Sequence, residues 1–193
     1  MEILGKIVGN PARVKIMRLF LLNKNEGFKG KDIAKRSRVN SSIVNRELKL
    51  LSSVNFIKKR SAGWFFNPSF KYISEFEGLL GGTESFDKEV ILKKFKKAGR
   101  LKLLLVSGIF IKDNDSRADI MIVGDNLKKG KVEEGIHKLE AEIGAELNYA
   151  LFDTKEFLYR LDMYDKLVRD IIDFPHEIIL QAKELSTQTF KKP

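Results

Sequence analysis

The residues with the most chemical meaning lie between positions 41 and 60. Ser42, Asn45, Arg46 and Lys49 recur at i, i+3, i+4 and i+7, so a helix would carry them as one stripe. Arg donates two hydrogen bonds to guanine and Asn pairs with adenine, while Ser and Lys reach phosphates or base edges. Lys58, Lys59 and Arg60 stand in succession a little further on. Near the tip of a hairpin they would lie beside a sugar–phosphate backbone. Neutralising several phosphates there gives strong, salt-sensitive affinity. A polar stripe on an amphipathic helix is also ordinary solvated surface, so the charge distribution bears on the choice.

That distribution is one-sided. Residues 1–78 carry 16 Lys and Arg against 6 Asp and Glu, a net of +10. The whole chain has 36 against 26, also +10, so the remainder is balanced. A basic module joined to a neutral one implies two jobs, with a polyanion as partner for the first. The absence of Cys excludes disulfides, thiolate zinc sites and thiol catalysis, and it fits a reducing cytoplasm. The N-terminus has no signal-peptide pattern, and the apolar runs are too short to span a bilayer, so no membrane partner is expected.

The elements that must position the stripe are legible in outline. Asn10-Pro11 opens a helix, with Ala12, Ile16, Leu19 and Phe20 on one face. Gly27 and Gly30 break that pattern. A short helix follows, with Ile33 and Ala34 inward and Lys31, Lys35 and Arg36 outward, and Val39 plugs the turn after it. Asn40-Ser41-Ser42 caps a helix running to about Ser53, whose apolar side is Val44, Leu48, Leu51 and Val54. Phe56 to Arg60 reads as a strand, Ser61-Ala62-Gly63 as a turn and Trp64-Phe65-Phe66 as the return. Most of Trp64, Phe65, Phe66 and Phe70 are expected to pack the hairpin onto its helices, although such rings could also stack on bases.

This order of helix, short helix, turn, polar-faced helix and basic hairpin resembles the winged helix-turn-helix family, in its small bacterial and archaeal repressor form, over about residues 8–75. The resemblance implies that Ser41 to Ser53 is the recognition helix and Phe56 to Asn67 the wing. Ser41, Ser42, Asn45, Arg46, Lys49, Lys58, Lys59 and Arg60 then form the expected DNA-contact set. Winged helices also serve as protein–protein modules, so an adaptor role stays open.

The expected domain division is 1–80 and 86–193. Gly81-Gly82-Thr83-Glu84 is the linker candidate, and Ser85 is expected to cap a helix from Phe86 to Ala98. Lys93, Lys94, Lys96 and Lys97 on that helix could extend a DNA surface or simply be solvated. Beyond it, strand-like runs at 102–106, 118–123 and 146–152 alternate with helical patterns at 131–143, at 154–157 with Thr154 as the expected cap, and at 165–173. Such alternation argues for an α/β or α+β second domain and an α+β chain overall.

Ser116 to Asp125 resembles the metal-binding strand of the nucleotidyltransferase superfamily, over about residues 100–180. Active members place a Gly-Ser pair at a helix start, Asp-x-Asp on a strand and a third acid on a later strand, because clustered carboxylates must hold two Mg²⁺ ions. Here the second Asp of the pair matches Asp119, but the first falls at Arg117. The Gly-Ser pair appears only reversed, as Ser107-Gly108, and the third acid falls at Asn148. Asp113 and Asp115 lie in a polar loop. The resemblance therefore implies the fold, while the residues argue against the reaction. Asp119 is expected to be a vestige, with no catalytic residue, no metal and no cofactor.

No other chemistry competes. His137 has Glu133 and Glu134 one turn earlier, which reads as a surface His among acids, and His176 is remote in sequence. Asp162, Asp165, Asp170 and Asp173 interleave with Arg160, Lys166 and Arg169 as a salt-bridged face. The expectation is a cytoplasmic transcriptional regulator that binds double-stranded DNA, a homodimer because two-fold symmetry doubles the readout. Its nucleotidyltransferase-like domain, a pseudoenzyme, would serve dimerisation, a protein partner or a nucleotide effector. The competing expectation is an active nucleotidyltransferase that modifies a nucleic acid or protein.

Overall fold

The computed structural model describes residues 3–81, 87–113 and 115–186. The chain is mixed α+β and divides into two compact units. The first comprises Met1–Gly82 together with His137–Glu146, and the second Thr83–Ile136 together with Leu147–Pro193. Among the described residues, no helix is long and apolar enough to cross a membrane.

In the first unit α1 (Ile3–Ile7) leads into α2 (Pro11–Leu22). Asn10 caps α2, its Oδ1 accepting from the Ala12 amide at 3.0 Å. Strand β1 (Gly27–Phe28) and α3 (Gly30–Ser37) follow. Arg38, in the left-handed region at φ 52°, ends α3; its N–H donates to the Lys35 carbonyl and that of Val39 to the Ala34 carbonyl. Val39 then packs on the core. Asn40 Oδ1 accepts from the Ser42 amide at 2.9 Å and starts α4 (Ser41–Ser53). Antiparallel β2 (Ile57–Arg60) and β3 (Gly63–Phe66) pair from Ile57↔Phe66 to Arg60↔Gly63. Strand β1 adds to the other side of β3, giving the order β1-β3-β2. Helix α5 (Ile73–Leu80) completes the run.

Burial explains the register. Phe56 is fully buried and meets Phe66 and Phe70 edge-on, at 5.4 and 5.1 Å between ring centroids. Ile57 and Phe66 are buried beside it, which fixes which face of the hairpin points inward. Trp64 and Phe70 are partly buried against the same core. Val54 departs from its expected inward place. It is 52% exposed because it is the C-cap, where the backbone leaves the helical path.

Two buried charges hold this unit, and neither was expected from the residue pattern. The Arg18 side chain, 1% exposed, donates from Nε to the Leu80 carbonyl at 2.8 Å and from Nη1 to the Glu142 carbonyl at 2.9 Å. Asn23 Nδ2 donates to the Gly144 carbonyl at 2.7 Å. Residues 137–146 are therefore bonded to α2 by its polar groups. Glu47, also 1% exposed, lies on the inner side of α4.

The second unit begins, as described, with α6 (Lys88–Phe95). Ser85, Phe86 and the linker residues Gly82, Thr83 and Glu84 lie outside the described residues. Asp87 caps α6, accepting from the Glu89 amide at 3.0 Å, and the helix stops at Phe95 rather than Ala98. Next come β4 (Arg100–Val106), a 3-10 turn (Gly108–Phe110), β5 (Ile120–Asp125), α7 (Lys129–Ile143), whose residues from His137 onward belong to the first unit, and β6 (Tyr149–Phe152). Helices α8 (Thr154–Asp162) and α9 (Lys166–Asp173), β7 (Glu177–Gln181) and α10 (Lys183–Ser186) complete it. Thr154 is the first residue of α8, not its cap. Asp153 caps the helix by accepting from the Glu156 amide at 2.7 Å.

The four strands are ordered β6-β5-β4-β7. Strands β5 and β6 run parallel, and the other pairs are antiparallel. The central strands are covered on both faces, so Leu103 to Val106 and Ile120 to Val123 are all buried. One face is a cluster of Leu103, Leu105, Met121 and Val123 with Phe157, Leu161, Val168 and Ile171 from α8 and α9.

An ionic cluster closes the β4–β5 end. Lys102 Nζ lies 2.7 Å from Glu184 Oε2 and 3.0 Å from Asp125 Oδ2. The Glu184 bond, then the Asp125 bond, raise the ammonium above its ordinary range, and Lys102 holds the Glu184 carboxyl below its own. A depressed carboxyl stabilises above its unfolded value, and this is lost as pH falls through the folded value. A raised ammonium stabilises below its unfolded value, and this is lost as pH rises through the folded one. Melting curves of Glu184→Gln against the parent are therefore expected to differ at neutral pH and to converge in acid. A gap that persists in acid would rule out this linkage.

Candidate nucleic-acid interface

Ser41, Ser42, Asn45, Arg46 and Lys49 are all exposed on α4. The opposite face of the helix, Val44, Glu47, Leu48 and Leu51, is buried, while Ile43 is half-buried and Leu50 is exposed beside the polar stripe. The Ser42 hydroxyl donates to Asn40 Oδ1 at 2.9 Å, so the cap also orients the first polar residue of the stripe. Arg46 is 70% exposed, with Nε 3.4 Å from Glu47 Oε1. Lys49 forms no ion pair among the described residues.

The hairpin begins where α4 ends, with the Phe56 amide donating to the Leu51 carbonyl at 2.9 Å. Lys58, Lys59 and Arg60 are exposed along β2 and have no acidic partner among the described residues. Two of them lie over rings of β3. Lys59 Nζ is 5.7 Å from the Trp64 ring centroid, and Arg60 Cζ is 5.0 Å from that of Phe65. The rings hold the cations along the strand without neutralising them. Gly63, at φ +142° with the Phe28 carbonyl 2.6 Å from a built Cβ, lets the turn close against β1.

Arg36 does not belong with these cations. It is half-buried, 5.1 Å over the Phe28 ring, and paired with Glu146 at 2.5 Å and Glu26 at 3.6 Å. On α6, Lys93 pairs with Glu89 at 3.6 Å.

In the second unit the residues singled out at Asp119 are brought together, but as a knot in the backbone. Asp119 Oδ1 accepts from the Ile109 amide at 2.9 Å and Oδ2 from the Asn148 amide at 2.8 Å. Its own amide donates to the Asn148 carbonyl at 2.7 Å, and its carbonyl accepts from the Ser107 amide at 2.9 Å. The buried Ser107 hydroxyl donates to the Ala118 carbonyl at 2.5 Å. Gly108 sits at φ +56°, and a Cβ there would stand 2.2 Å from Asp119 Oδ1. Arg117 is engaged elsewhere, 2.5 Å from Asp170 of α9. His137 Nδ1 lies 2.7 Å from Glu140 rather than against Glu133 or Glu134. Among the described residues, no three His, Cys, Asp or Glu side chains are grouped to hold a metal ion.

The salt-bridged face forms only in part, over the two helices α8 and α9, since Asp170 pairs with Arg117 instead. Arg160 meets Glu156 at 2.9 Å and Asp165 at 3.1 Å, and Arg169 meets Asp173 at 2.9 Å. Comparison with protein-family models, curated proteins and solved structures finds no match to this chain.

Proposed function

We propose that the chain is a transcriptional regulator whose first unit is a winged helix-turn-helix that binds double-stranded DNA. The observation that carries this reading is the exposed polar stripe of α4 beside a hairpin bearing three adjacent cations. A helix with that stripe fits the major groove, and the hairpin cations suit the flanking phosphates. The first 78 residues also carry an excess of charge equal to the net +10 of the chain, which supplies the long-range attraction.

The second unit is read as nucleotidyltransferase-like and non-catalytic. Support comes from the spending of both Asp119 oxygens on backbone amides, from Arg117 at the position of the first acid and from Asn148 at that of the third. Its role would be self-association, which gives the DNA-binding unit two-fold symmetry.

Selection of bound duplexes from a random pool tests the reading. A palindrome with half-sites about one helical turn apart is expected, and failure to retain any duplex at low salt rejects it. Arg46→Ala is expected to cost about 1–3 kcal/mol and to blur one base preference, while Lys59→Ala weakens all sequences alike. Equal loss of preference in both variants would contradict the assignment of roles.

A further inference from the structure

Glu47 is the only fully buried acid among the described residues, and three donors converge on it. Asn10 Nδ2 approaches Oε1 at 2.6 Å, and Arg13 Nε approaches Oε2 at 2.8 Å. Arg46 Nε reaches Oε1 at 3.4 Å. Asn10 is fully committed, since its Oδ1 caps α2 while its Nδ2 holds Glu47. The carboxylate is thus fixed by the start of α2, and its charge is matched by Arg13. A buried carboxylate held in this way is a rigid point of attachment.

Arg46 is tied to that point through Nε while its side chain stays 70% exposed. Nη1 and Nη2, the two parallel donors at the far end of the guanidinium, are left for a ligand. That end-on fork matches the O6 and N7 acceptors of guanine. An untethered arginine samples many rotamers and serves any phosphate within reach. A tethered one has already lost part of that freedom and presents one geometry.

We infer that Glu47 is a positioning residue which makes Arg46 a guanine reader rather than a general phosphate cation. The inference rests on the duplex-binding reading above and specifies the base it recognises. Arg13, on the same carboxylate, balances the charge, so that Arg46 is not needed to neutralise Glu47 and its fork stays available.

The test uses the full chain. Duplexes retained by the parent protein are resynthesised with each base at the position protected by Arg46. A guanine preference of roughly tenfold or more is expected. Glu47→Gln is expected to reduce it to about twofold, without a matching loss on non-cognate duplex. Arg46→Lys, a change at an exposed position, is expected to lose the same preference, since an ammonium has no fork. In the double variant the two losses should not add. Because Glu47→Gln could impair folding, the Arg46 Nε–Hε signal of the free parent protein is followed by NMR as well, and it is expected to be ordered and slow to exchange. A freely averaging Arg46 Nε, an unchanged preference in folded Glu47→Gln, or a guanine preference that survives Arg46→Lys overturns the inference. If the parent retains no duplex at all, the duplex-binding reading falls first and takes this one with it.

Discussion

Replacing Lys58, Lys59 and Arg60 together by alanine is expected to lower duplex affinity roughly a hundredfold at moderate salt, with sequence preference intact. Each phosphate neutralised contributes about 0.9 to the slope of log affinity against log salt, so three lost contacts flatten it by roughly 2.7. The fold should survive, because all three side chains are exposed and the hairpin is anchored at its base by buried Phe56, Ile57 and Phe66. The rings that lie under Lys59 and Arg60 remain packed on the unit, so their loss as stacking platforms costs little. Titration at several salt concentrations reads both quantities. A steep slope retained by the triple variant would place the phosphate contacts elsewhere and remove the hairpin from the interface.

The second large effect is at Asp119. Its two oxygens each accept a charge-assisted bond from a backbone amide, and together they join the 3-10 turn after β4 to the start of β6. Asp119→Ala strips both acceptors. Bonds to a charged group contribute about 1.5–3 kcal/mol each when buried. Asp119 is only half-buried, so a total loss of about 2–4 kcal/mol is expected. Asp119→Asn should lose less, because the amide oxygen still accepts one bond. The sign carries the argument. Catalytic carboxylates crowded to hold metal repel one another and strain the fold, and removing one often stabilises the protein. A structural acid behaves in the opposite way. Hydrogen exchange at the Ile109 and Asn148 amides locates the effect, with protection lost at both in Asp119→Ala. If Asp119→Ala were more stable than the parent, and binding of ATP with Mg²⁺ disappeared with it, the catalytic reading of the second unit would replace the present one.

Periodicity made most elements visible in advance, and it failed where periodicity carries no information. The helix Ser41–Ser53 stood out because its apolar positions repeat at 3.6 residues behind a good cap, and the hairpin because the turn residues Ser61-Ala62-Gly63 separate two short strand-forming runs. Strand β1 was missed because Gly27–Phe28 is two residues long, too short for any repeat, and exists only through its pairing with Phe65 and Trp64. The α8 cap was set one residue late, since Asp153 and Thr154 both suit the position and only the backbone decides between them.

Glu47 had a signal that went unread. With Val44, Leu48 and Leu51 it completes i, i+3, i+4, i+7, so the apolar stripe contains an acid at an inward position. Arg18 is similar, spaced i+4 from Val14 and followed at i+3 by buried Leu21. A charge at a core position calls for a buried partner. What could not be foreseen is which partner, because the Arg18 carbonyls come from positions 62 and 124 residues away in sequence. For Asp119 the resemblance implied a lapsed metal site, and its two backbone bonds come from amides 10 and 29 residues away, which no local pattern specifies.

Arg18 has a practical consequence for dissecting the molecule. Its guanidinium closes the carbonyl ends of two helices, α5 through Leu80 and α7 through Glu142. A fragment cut after residue 82 would keep the DNA-contact candidates and every strand of the three-stranded sheet, yet leave this arginine facing a missing neighbour in the dark interior of α2. The first unit is thus built from two separate stretches of chain. Truncation is expected to produce a folding defect that would pass for a binding one, so tests of the proposed DNA contacts belong in the intact polypeptide.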